Sequence, residues 1–191
     1  MANKSIYTLF FIIFSSILFA NEIRIEGKAA YFRPTASVTR DIYGSFGLYS
    51  LEALYSPWCD LYFWGSVGFA TSSGKSTVDK SKTTLTYVPI SAGLKYLFQI
   101  NSFRPYFGAG PLAAYLHTKD DSPFVVKKRE KWGVGAIVKA GLIYDISRHF
   151  FLDAFVEYSF MGIDFSRMSI TLGQAADISG LAAGGAIGIR F

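Results

Sequence analysis

The chain contains little charge, one cysteine and two histidines. Charged residues make up 17% of its 191 residues, below the roughly 25% that is typical of soluble domains. Cys59 alone cannot form an internal disulfide bond, and with only His117 and His149 available there is no zinc-type spacing of ligands. Dense lysine and arginine runs with interleaved aromatic residues are also missing. The sequence therefore predicts no metal, no organic cofactor and no nucleic-acid partner.

Long apolar runs are missing as well. After the first 20 residues there is no uncharged apolar run of the roughly 18 residues that a transmembrane helix needs. Yet 51% of the residues are hydrophobic and 17% are aromatic. Such a chain must bury its apolar residues in a large core or expose them to lipid as a closed barrel.

The N-terminal segment has the features of a secretory signal peptide. Lys4 supplies a short basic region, Ile6 to Phe19 an apolar region of the usual length, and Ala20 a candidate cleavage site. The predicted organisation is a signal peptide at 1–20, followed by one barrel domain at 21–191. An uncleaved helical anchor is the alternative interpretation of the same segment.

After this leader, apolar and polar residues alternate with a period of two. In the first segment, Arg24, Glu26 and Lys28 share one parity, while Ile23 and Ile25 share the other. This period predicts strands with two different faces. Each segment is long enough for the roughly 9–11 residues of a membrane-crossing strand. The eight segments are 22–33, 42–56, 58–70, 84–98, 104–117, 132–145, 150–163 and 177–191.

The charged residues decide which face points inward. A lysine or arginine in lipid at the membrane midplane costs about 2–4 kcal/mol, so the ten charges well inside the segments are predicted to face the lumen. An eight-stranded barrel is just wide enough for side chains to fill it. Five basic and five acidic residues predict a closed lumen with paired charges: Arg24, Glu26, Lys28, Glu52, Asp60, Lys95, Lys139, Asp153, Glu157 and Arg190.

The connections alternate in length, as in bacterial outer-membrane barrels. Short connections near Ser56, Gln99–Phe103 and Ser147–His149 are expected in the periplasm, together with both chain ends. Longer polar connections are expected outside the cell, at 34–41, 71–83, 118–131 and 164–176. Aromatic residues of outward parity near strand ends predict two aromatic girdles: Tyr31, Tyr43, Tyr55, Phe69, Tyr96, Trp132, Tyr144, Tyr158 and Phe191. The predicted fold is all-β: an eight-stranded antiparallel up-and-down transmembrane β-barrel.

The last five residues carry a resemblance to a known family. The ending Ile187–Phe191 resembles the C-terminal assembly signal of outer-membrane barrels, with Ala186 where the family usually has glycine. Together with the leader and the eight segments, it makes the mature chain similar to the small outer-membrane barrels typified by the OmpA barrel, OmpX and OmpW. The resemblance implies a monomer in the cell outer membrane, assembled by the barrel-assembly machinery through Ile187, Ile189 and Phe191.

The function predicted from these features is structural and non-enzymatic. A closed lumen leaves the extracellular loops as the surface that contacts lipopolysaccharide, a host or another surface ligand. Because cations are attracted to anionic headgroups, the basic run in loop His117–Lys131 is a candidate lipopolysaccharide contact. Its cationic members are Lys127, Lys128, Arg129 and Lys131.

Three alternatives remain open at this stage. The first is a narrow channel or small-solute binder. The second is a lipid A-modifying enzyme for acyl transfer or deacylation, since His117 lies near Asp120, Asp121 and Ser122. Asp153 and Glu157 are roughly 13 Å apart along one strand, too far for a catalytic pair. The third is a secreted lipocalin-like barrel, with the charged face in solvent.

Overall fold

The computed structural model describes residues 22–58, 60–75, 82–120, 128–163 and 176–191. The predicted signal peptide and Cys59 lie outside these residues. In chain order the elements are β1 (Glu22–Pro34), α1 (Ser37–Tyr43), β2 (Phe46–Trp58), β3 (Leu61–Lys75), β4 (Lys82–Leu97), β5 (Phe103–Asp120), β6 (Lys128–Asp145), β7 (Phe150–Ile163), β8 (Ala176–Asp177) and β9 (Gly180–Arg190).

The strands close into a single antiparallel barrel. Neighbours in sequence pair with each other from β1 to β7, and β9 pairs with both β7 and β1. The two-residue β8 pairs with the end of β7, through Gly162 and Asp177, and leads directly into β9. These two pieces form one eighth crossing of the barrel. The predicted eight-stranded antiparallel architecture is therefore confirmed.

Both ends of the barrel chain lie at the same rim. The amide of Phe191 donates a hydrogen bond of 2.9 Å to the carbonyl oxygen of Ile23. The turns 98–102 and 146–149 are at this rim too, which we call the short-turn end. The opposite rim, where β3 meets β4 and β5 meets β6 beyond residues 75 and 120, is the long-loop end.

Two hairpins continue past the predicted strand limits at the long-loop end. The β3–β4 ladder extends to the pair Lys75 and Lys82, and the β5–β6 ladder to the pair Lys119 and Lys128. The sequence pattern placed loops at 71–83 and 118–131 instead. These extensions are rich in threonine, serine and charged residues. Strand prediction failed there because the extensions lack the apolar half of the alternation.

A short helix also replaces predicted loop and strand. The interval 34–41 was expected to be a loop and 42–56 a strand, but α1 occupies Ser37–Tyr43. Gly44 ends it with φ of 65°, a conformation that favours glycine. Tyr43, predicted to lie in an outward girdle, packs instead against the buried core, and its hydroxyl lies 3.2 Å from that of Thr83. Seven residues are too few to show a helical period.

The barrel wall is apolar outside and charged inside. Along β1, Arg24, Glu26 and Lys28 are 0–4% exposed, whereas Ile23 and Ile25 are 40% and 38% exposed. This alternation follows the predicted parity. A lipocalin-like barrel requires the opposite arrangement, so that alternative does not fit.

Exposed aromatic side chains form bands near both rims. The short-turn band contains Phe63, Tyr96, Phe103, Phe107, Tyr144, Phe150 and Phe191. The long-loop band contains Tyr31, Tyr49, Phe69, Trp132 and Phe160, and between the bands lie Leu51, Val67, Ile90, Val138 and Val156. Aromatic girdles around an apolar band are the outer pattern of transmembrane barrels. Among the described residues, no helix is long and apolar enough to cross a membrane.

We expect Leu51→Arg to lower the free energy of unfolding by about 2–4 kcal/mol, because it places a cation in the middle of the apolar band. Thr86→Arg is the matched control. Thr86 belongs by register to the outward-facing residues of β4 near the long-loop end, and an arginine there should cost only about 0–1 kcal/mol. Equilibrium urea unfolding in phospholipid bilayers measures both. Equal losses for the two variants would show that the band does not face lipid.

Candidate functional site

A carboxylate at the centre of the lumen accepts hydrogen bonds from three ammonium groups. Glu52 on β2 is 0% exposed. Its oxygens lie 2.5 Å from the Nζ atom of Lys95, 2.7 Å from that of Lys139 and 3.2 Å from that of Lys28. These lysines come from β4, β6 and β1. One carboxylate thus joins four strands across the barrel.

Glu157 on β7 completes what we call the mid-barrel network: Lys28, Glu52, Lys95, Lys139 and Glu157. Lys28 donates to its Oε1 atom, and the Nζ atom of Lys139 lies 3.4 Å from the same oxygen. Both lysines therefore bridge two carboxylates. Buried charges persist only where such pairing replaces water.

Aromatic rings surround the ammonium groups of this network. The Nζ atom of Lys139 lies 3.4 Å from the ring centre of Trp64, and that of Lys28 lies 4.0 Å from the ring centre of Phe155. Lys95 is 4.3 Å from the ring centre of Tyr106. Ring faces attract cations, more strongly where water is excluded. The rings thus add cation–π stabilisation to the ion pairs of these lysines.

Two further buried acids flank the network. The Oε1 atom of Glu26 is 3.7 Å from the Nζ atom of Lys95, which is an ion pair without a hydrogen bond. The Oδ2 atom of Asp153 accepts a hydrogen bond of 2.7 Å from the hydroxyl of Tyr106. Both residues lie on the inward faces of their strands, beside the lysines.

A second group of charges, the end cluster, lies towards the short-turn end: Glu22, Arg24, Arg104, Asp145 and Arg190. Arg24 donates to Glu22 at 2.6 Å, and Arg104 lies 2.8 Å from Asp145. Arg190 is within 3.6 Å of Glu22 and 3.5 Å of Asp145. Since Glu22 is on β1 and Arg190 on β9, the end cluster stabilises the closing pair of strands.

The long-loop half of the lumen is filled by apolar side chains. The ring of Phe32 lies 5.2 Å from that of Phe46 and 5.8 Å from that of Tyr87. We call this group the apolar plug: Phe32, Phe46, Leu48, Leu85, Tyr87, Leu112, Leu116 and Met161, all at most 8% exposed. In the described part of the chain, the plug and the mid-barrel network together fill the lumen.

A small cavity with a mixed polar and apolar lining remains between the plug and the network. Its polar lining comes from Ser50, Ser66, Ser91, Ser159 and Glu157. The space open to the centres of water molecules is about 30 Å³. One water needs about 10–15 Å³ by this measure, so the cavity has room for about two waters. It is too small for an organic solute.

The structure places most of the predicted lumen charges inside the barrel. Seven of the ten predicted charges are at most 4% exposed: Arg24, Glu26, Lys28, Glu52, Lys95, Lys139 and Asp153. An eighth, Glu157, belongs to the mid-barrel network. Arg190 belongs to the end cluster, with 19% of its side chain exposed. Asp60 lies in the β2–β3 turn at the short-turn end, partly exposed, where it accepts a hydrogen bond of 3.3 Å from Gln99. Its inward assignment was wrong because β3 begins only at Leu61.

The ten predicted lumen charges leave out three members of the end cluster. Glu22, Arg104 and Asp145 lie at the ends of predicted segments and share the inward parity. That parity could have identified them. Together the two groups and their flanking acids hold six basic residues, Arg24, Lys28, Lys95, Arg104, Lys139 and Arg190, and six acidic residues, Glu22, Glu26, Glu52, Asp145, Asp153 and Glu157. Tyr106 was also missed, since an inward tyrosine has no distinctive sequence signal.

The candidate lipopolysaccharide-binding residues do not all lie on one face of a strand. Lys127 lies outside the described residues. Lys128 and Arg129 begin β6 opposite Lys119 and Thr118, while Lys131 lies opposite Leu116. Because alternate residues of a strand belong to opposite faces, Lys128 belongs to one face of β6, whereas Arg129 and Lys131 belong to the other.

The candidate enzyme residues form no catalytic group within the described chain. The Nδ1 atom of His117 lies 3.3 Å from a carboxylate oxygen of Glu130. Asp120 ends β5, and Asp121 and Ser122 lie outside the described residues. Across the described ranges, no three histidine, cysteine, aspartate or glutamate residues are arranged to hold a metal ion.

Comparison with known proteins identifies the fold. No protein-family model matches the sequence, and the search of curated proteins gave no match. The solved structure of Neisserial surface protein A matches with a TM-score of 0.62 and 17% identity, covering 88% of this chain and 97% of that one. The chain has the fold of the small outer-membrane β-barrels.

Two other solved structures agree. Ail of Yersinia pestis, determined with the heparin analogue sucrose octasulfate, matches with a TM-score of 0.59 and 18% identity, covering 89% of this chain and 98% of Ail. Outer membrane protein W of E. coli matches with a TM-score of 0.53 and 17% identity, covering 90% of this chain and 98% of that one. The fold implied by the resemblance is confirmed, and identities this low show the fold alone.

We expect Glu52→Gln to destabilise the barrel by about 3–5 kcal/mol, because it leaves three buried lysines with an uncharged partner. Asp60→Asn removes the same charge from the exposed turn and should change the free energy of unfolding by less than about 0.5 kcal/mol. Urea titration in bilayers compares the two. A Glu52→Gln variant as stable as Asp60→Asn would contradict the role of Glu52 as the centre of the network.

Proposed function

We propose that the protein is an integral outer-membrane barrel with a closed lumen and a structural and surface-interaction role. The observation that carries this proposal is the triple lysine coordination of Glu52 in the middle of the lumen. Solute passage would have to break these bonds and leave charges unpaired in a low-dielectric interior, at a cost of several kcal/mol. The apolar plug adds a second barrier on the same axis.

The outer surface supports a location in the outer membrane. Leu51, Val67 and Val156 are 48–55% exposed in the band between the aromatic girdles, and an apolar band between two girdles is the surface that transmembrane barrels present to lipid. The predicted leader at 1–20 supplies export. Ile187, Ile189 and Phe191 are exposed on the last strand and its end, where the barrel-assembly machinery would contact them. A complete barrel has no open edge, which is consistent with a monomer.

The lumen chemistry favours a non-enzymatic role. Glu52 and Glu157, each engaged by more than one ammonium group, serve as ion-pair partners rather than as an acid and a base. The carboxylate of Asp153 is bound by Tyr106. A catalytic carboxylate needs access to a substrate, and these groups are buried among side chains.

The extracellular hairpins are the proposed interaction surface. They carry Lys127, Lys128, Arg129 and Lys131, which we assign to contact with lipopolysaccharide or another anionic surface ligand. Cations near an anionic surface contribute about 1 kcal/mol each. Ail, which has the same fold, has been determined with a sulfated heparin analogue. That ligand belongs to Ail, and its presence on a barrel of similar fold supports the proposal for this chain.

Reconstitution in planar bilayers tests the closed lumen. We expect no single-channel steps from the wild-type protein, because the network and plug fill the lumen of the described chain. A porin inserted in the same membrane controls for detection, and a heat-modifiability gel controls for folding. Discrete steps from folded protein would overturn the closed-lumen proposal and favour the channel alternative.

Neutralising the basic run tests the surface role. We expect replacement of Lys127, Lys128, Arg129 and Lys131 by glutamine to weaken lipopolysaccharide binding by at least about tenfold, since four cations are removed. Arg33 and Arg40, both exposed and outside this hairpin, are replaced together as a comparison for general charge loss. Binding is measured on full-length protein in detergent. Unchanged binding in the fourfold variant would contradict the assignment.

A further inference from the structure

The cavity between the apolar plug and the mid-barrel network has only oxygen atoms at the ends of its polar side chains. These side chains come from β2, β3, β4 and β7, so they reach the cavity from opposite sides of the barrel. They are Ser50, Ser66, Ser91, Ser159, Glu157 and Tyr87. No lysine or arginine of the described barrel lines the cavity. Its polar lining therefore suits a cation and offers no charged partner to an anion.

Three of the serine hydroxyls have no hydrogen-bond partner within the described chain: Ser50, Ser66 and Ser91. Ser159 donates its hydrogen to the carbonyl oxygen of Gly180 at 3.3 Å, so the Oγ atom of Ser159 can only accept from, or coordinate, a further group. Polar groups enclosed in a protein are normally hydrogen-bonded or coordinated. The free hydroxyls thus indicate a polar occupant of the cavity.

Glu157 presents a carboxylate oxygen to the same cavity. Its Oε1 atom is engaged by Lys28 and Lys139, whereas its Oε2 atom has no partner among the described residues. The side chain is 11% exposed although it lies in the middle of the lumen. Because Glu157 lines the cavity, that exposed surface lies there. The site therefore combines one anionic oxygen with several neutral hydroxyl oxygens.

The charges in the middle of the described lumen are not balanced. Three lysines of the mid-barrel network lie among four carboxylates, those of Glu26, Glu52, Asp153 and Glu157. The two oxygens of Glu26 accept no hydrogen bond from the described residues. The excess arginine that balances the whole lumen lies in the end cluster instead. Since a buried charge without a partner is costly, one more cation in the middle of the lumen is favourable.

The size and chemistry of the cavity restrict which cation fits. Its room for about two waters holds one ion of similar size together with one water. Ca²⁺ and Mg²⁺ need more oxygen ligands than this space allows, usually with several carboxylates among them. Alkali cations are bound by neutral oxygen atoms that replace their hydration shell. One carboxylate with neutral hydroxyls therefore matches a monovalent ion.

We propose that the cavity binds one alkali cation, Na⁺ or K⁺, between the serine hydroxyls and the Oε2 atom of Glu157. The ion supplies the missing positive charge and joins β2, β3, β4 and β7 directly above the mid-barrel network. It is a structural ion that enters before the barrel closes, so the lumen stays closed to solutes. The sequence predicts no metal because single hydroxyls on four separate strands form no spacing motif.

Crystallography with thallium(I) tests the site directly. Thallium(I) is a monovalent substitute for K⁺ that scatters X-rays anomalously. Full-length protein is refolded and crystallised in thallium(I) acetate without sodium or potassium. We expect one anomalous peak in the cavity, beside the Oε2 atom of Glu157. Ordered water in the cavity without an anomalous peak would overturn the proposal.

Equilibrium urea unfolding in phospholipid bilayers measures the affinity. We expect the urea midpoint to be higher in NaCl or KCl than in choline chloride of equal concentration, because a ligand that binds only the folded state stabilises it. Choline is too large for the cavity and keeps the ionic strength constant. Unfolding and refolding also give the ion access to the site. A midpoint that is the same in all three salts would contradict the proposal.

Serine variants separate the cavity from general salt effects. Ser66→Ala with Ser91→Ala removes two hydroxyls that are register partners, and it should weaken the cation affinity at least about tenfold. Ser73→Ala with Ser102→Ala removes two exposed hydroxyls and should leave the affinity unchanged. The measured quantity is the difference between NaCl and choline chloride, so a lower baseline stability does not affect it. Equal cation dependence in the two double variants would overturn the site.

Glu26→Gln tests the charge argument apart from the ligands. Glu26 does not line the cavity, so the variant keeps every ligand and removes one negative charge. We expect the cation affinity to fall at least about threefold, whereas a cavity that holds only water would not respond. An unchanged affinity would contradict the inference. Its failure would leave the proposed closed lumen standing, since the planar-bilayer measurement tests that proposal separately.

Discussion

The contact between Glu52 and three lysines is the constraint on which the barrel depends. The ammonium groups reach it from β1, β4 and β6, and two of them also contact Glu157 on β7. They meet only if the five strands keep their register. A slip of one residue would turn every inward charge of a strand towards lipid, at about 2–4 kcal/mol for each basic residue. The network and the strand register therefore stabilise each other.

Small inward residues make room for these long side chains. A Cβ atom added at Gly108 would come within 3.2 Å of the Cγ atom of Lys139, and one added at Gly188 would clash with the ring of Phe151. That ring lies 5.4 Å from the guanidinium of Arg24. The lumen is thus packed around its charges. Only beyond the serine-lined cavity does it change to the apolar side chains of the plug.

The sequence predicts the strands and the inward charges well, because lipid penalises a charged residue of the wrong parity heavily. Arg24, Lys95 and Lys139 could be assigned from parity alone. Where lipid ends, that penalty ends. Asp60 in a turn, the seven residues of α1 and the hairpin extensions to Lys75 and Asp120 were missed for this reason. Which lysine meets which carboxylate also depends on the register across strands that are distant in sequence.

The same register that closes the barrel fixes the surface of its hairpins. β3 to β6 leave the membrane band already paired, so the partners of Lys75 and Lys119 are decided by contacts deeper in the wall. The strands cannot separate at the hairpin ends without losing the ladder that continues into the barrel. A filled lumen and the pairing of the hairpin residues are thus two results of one strand register.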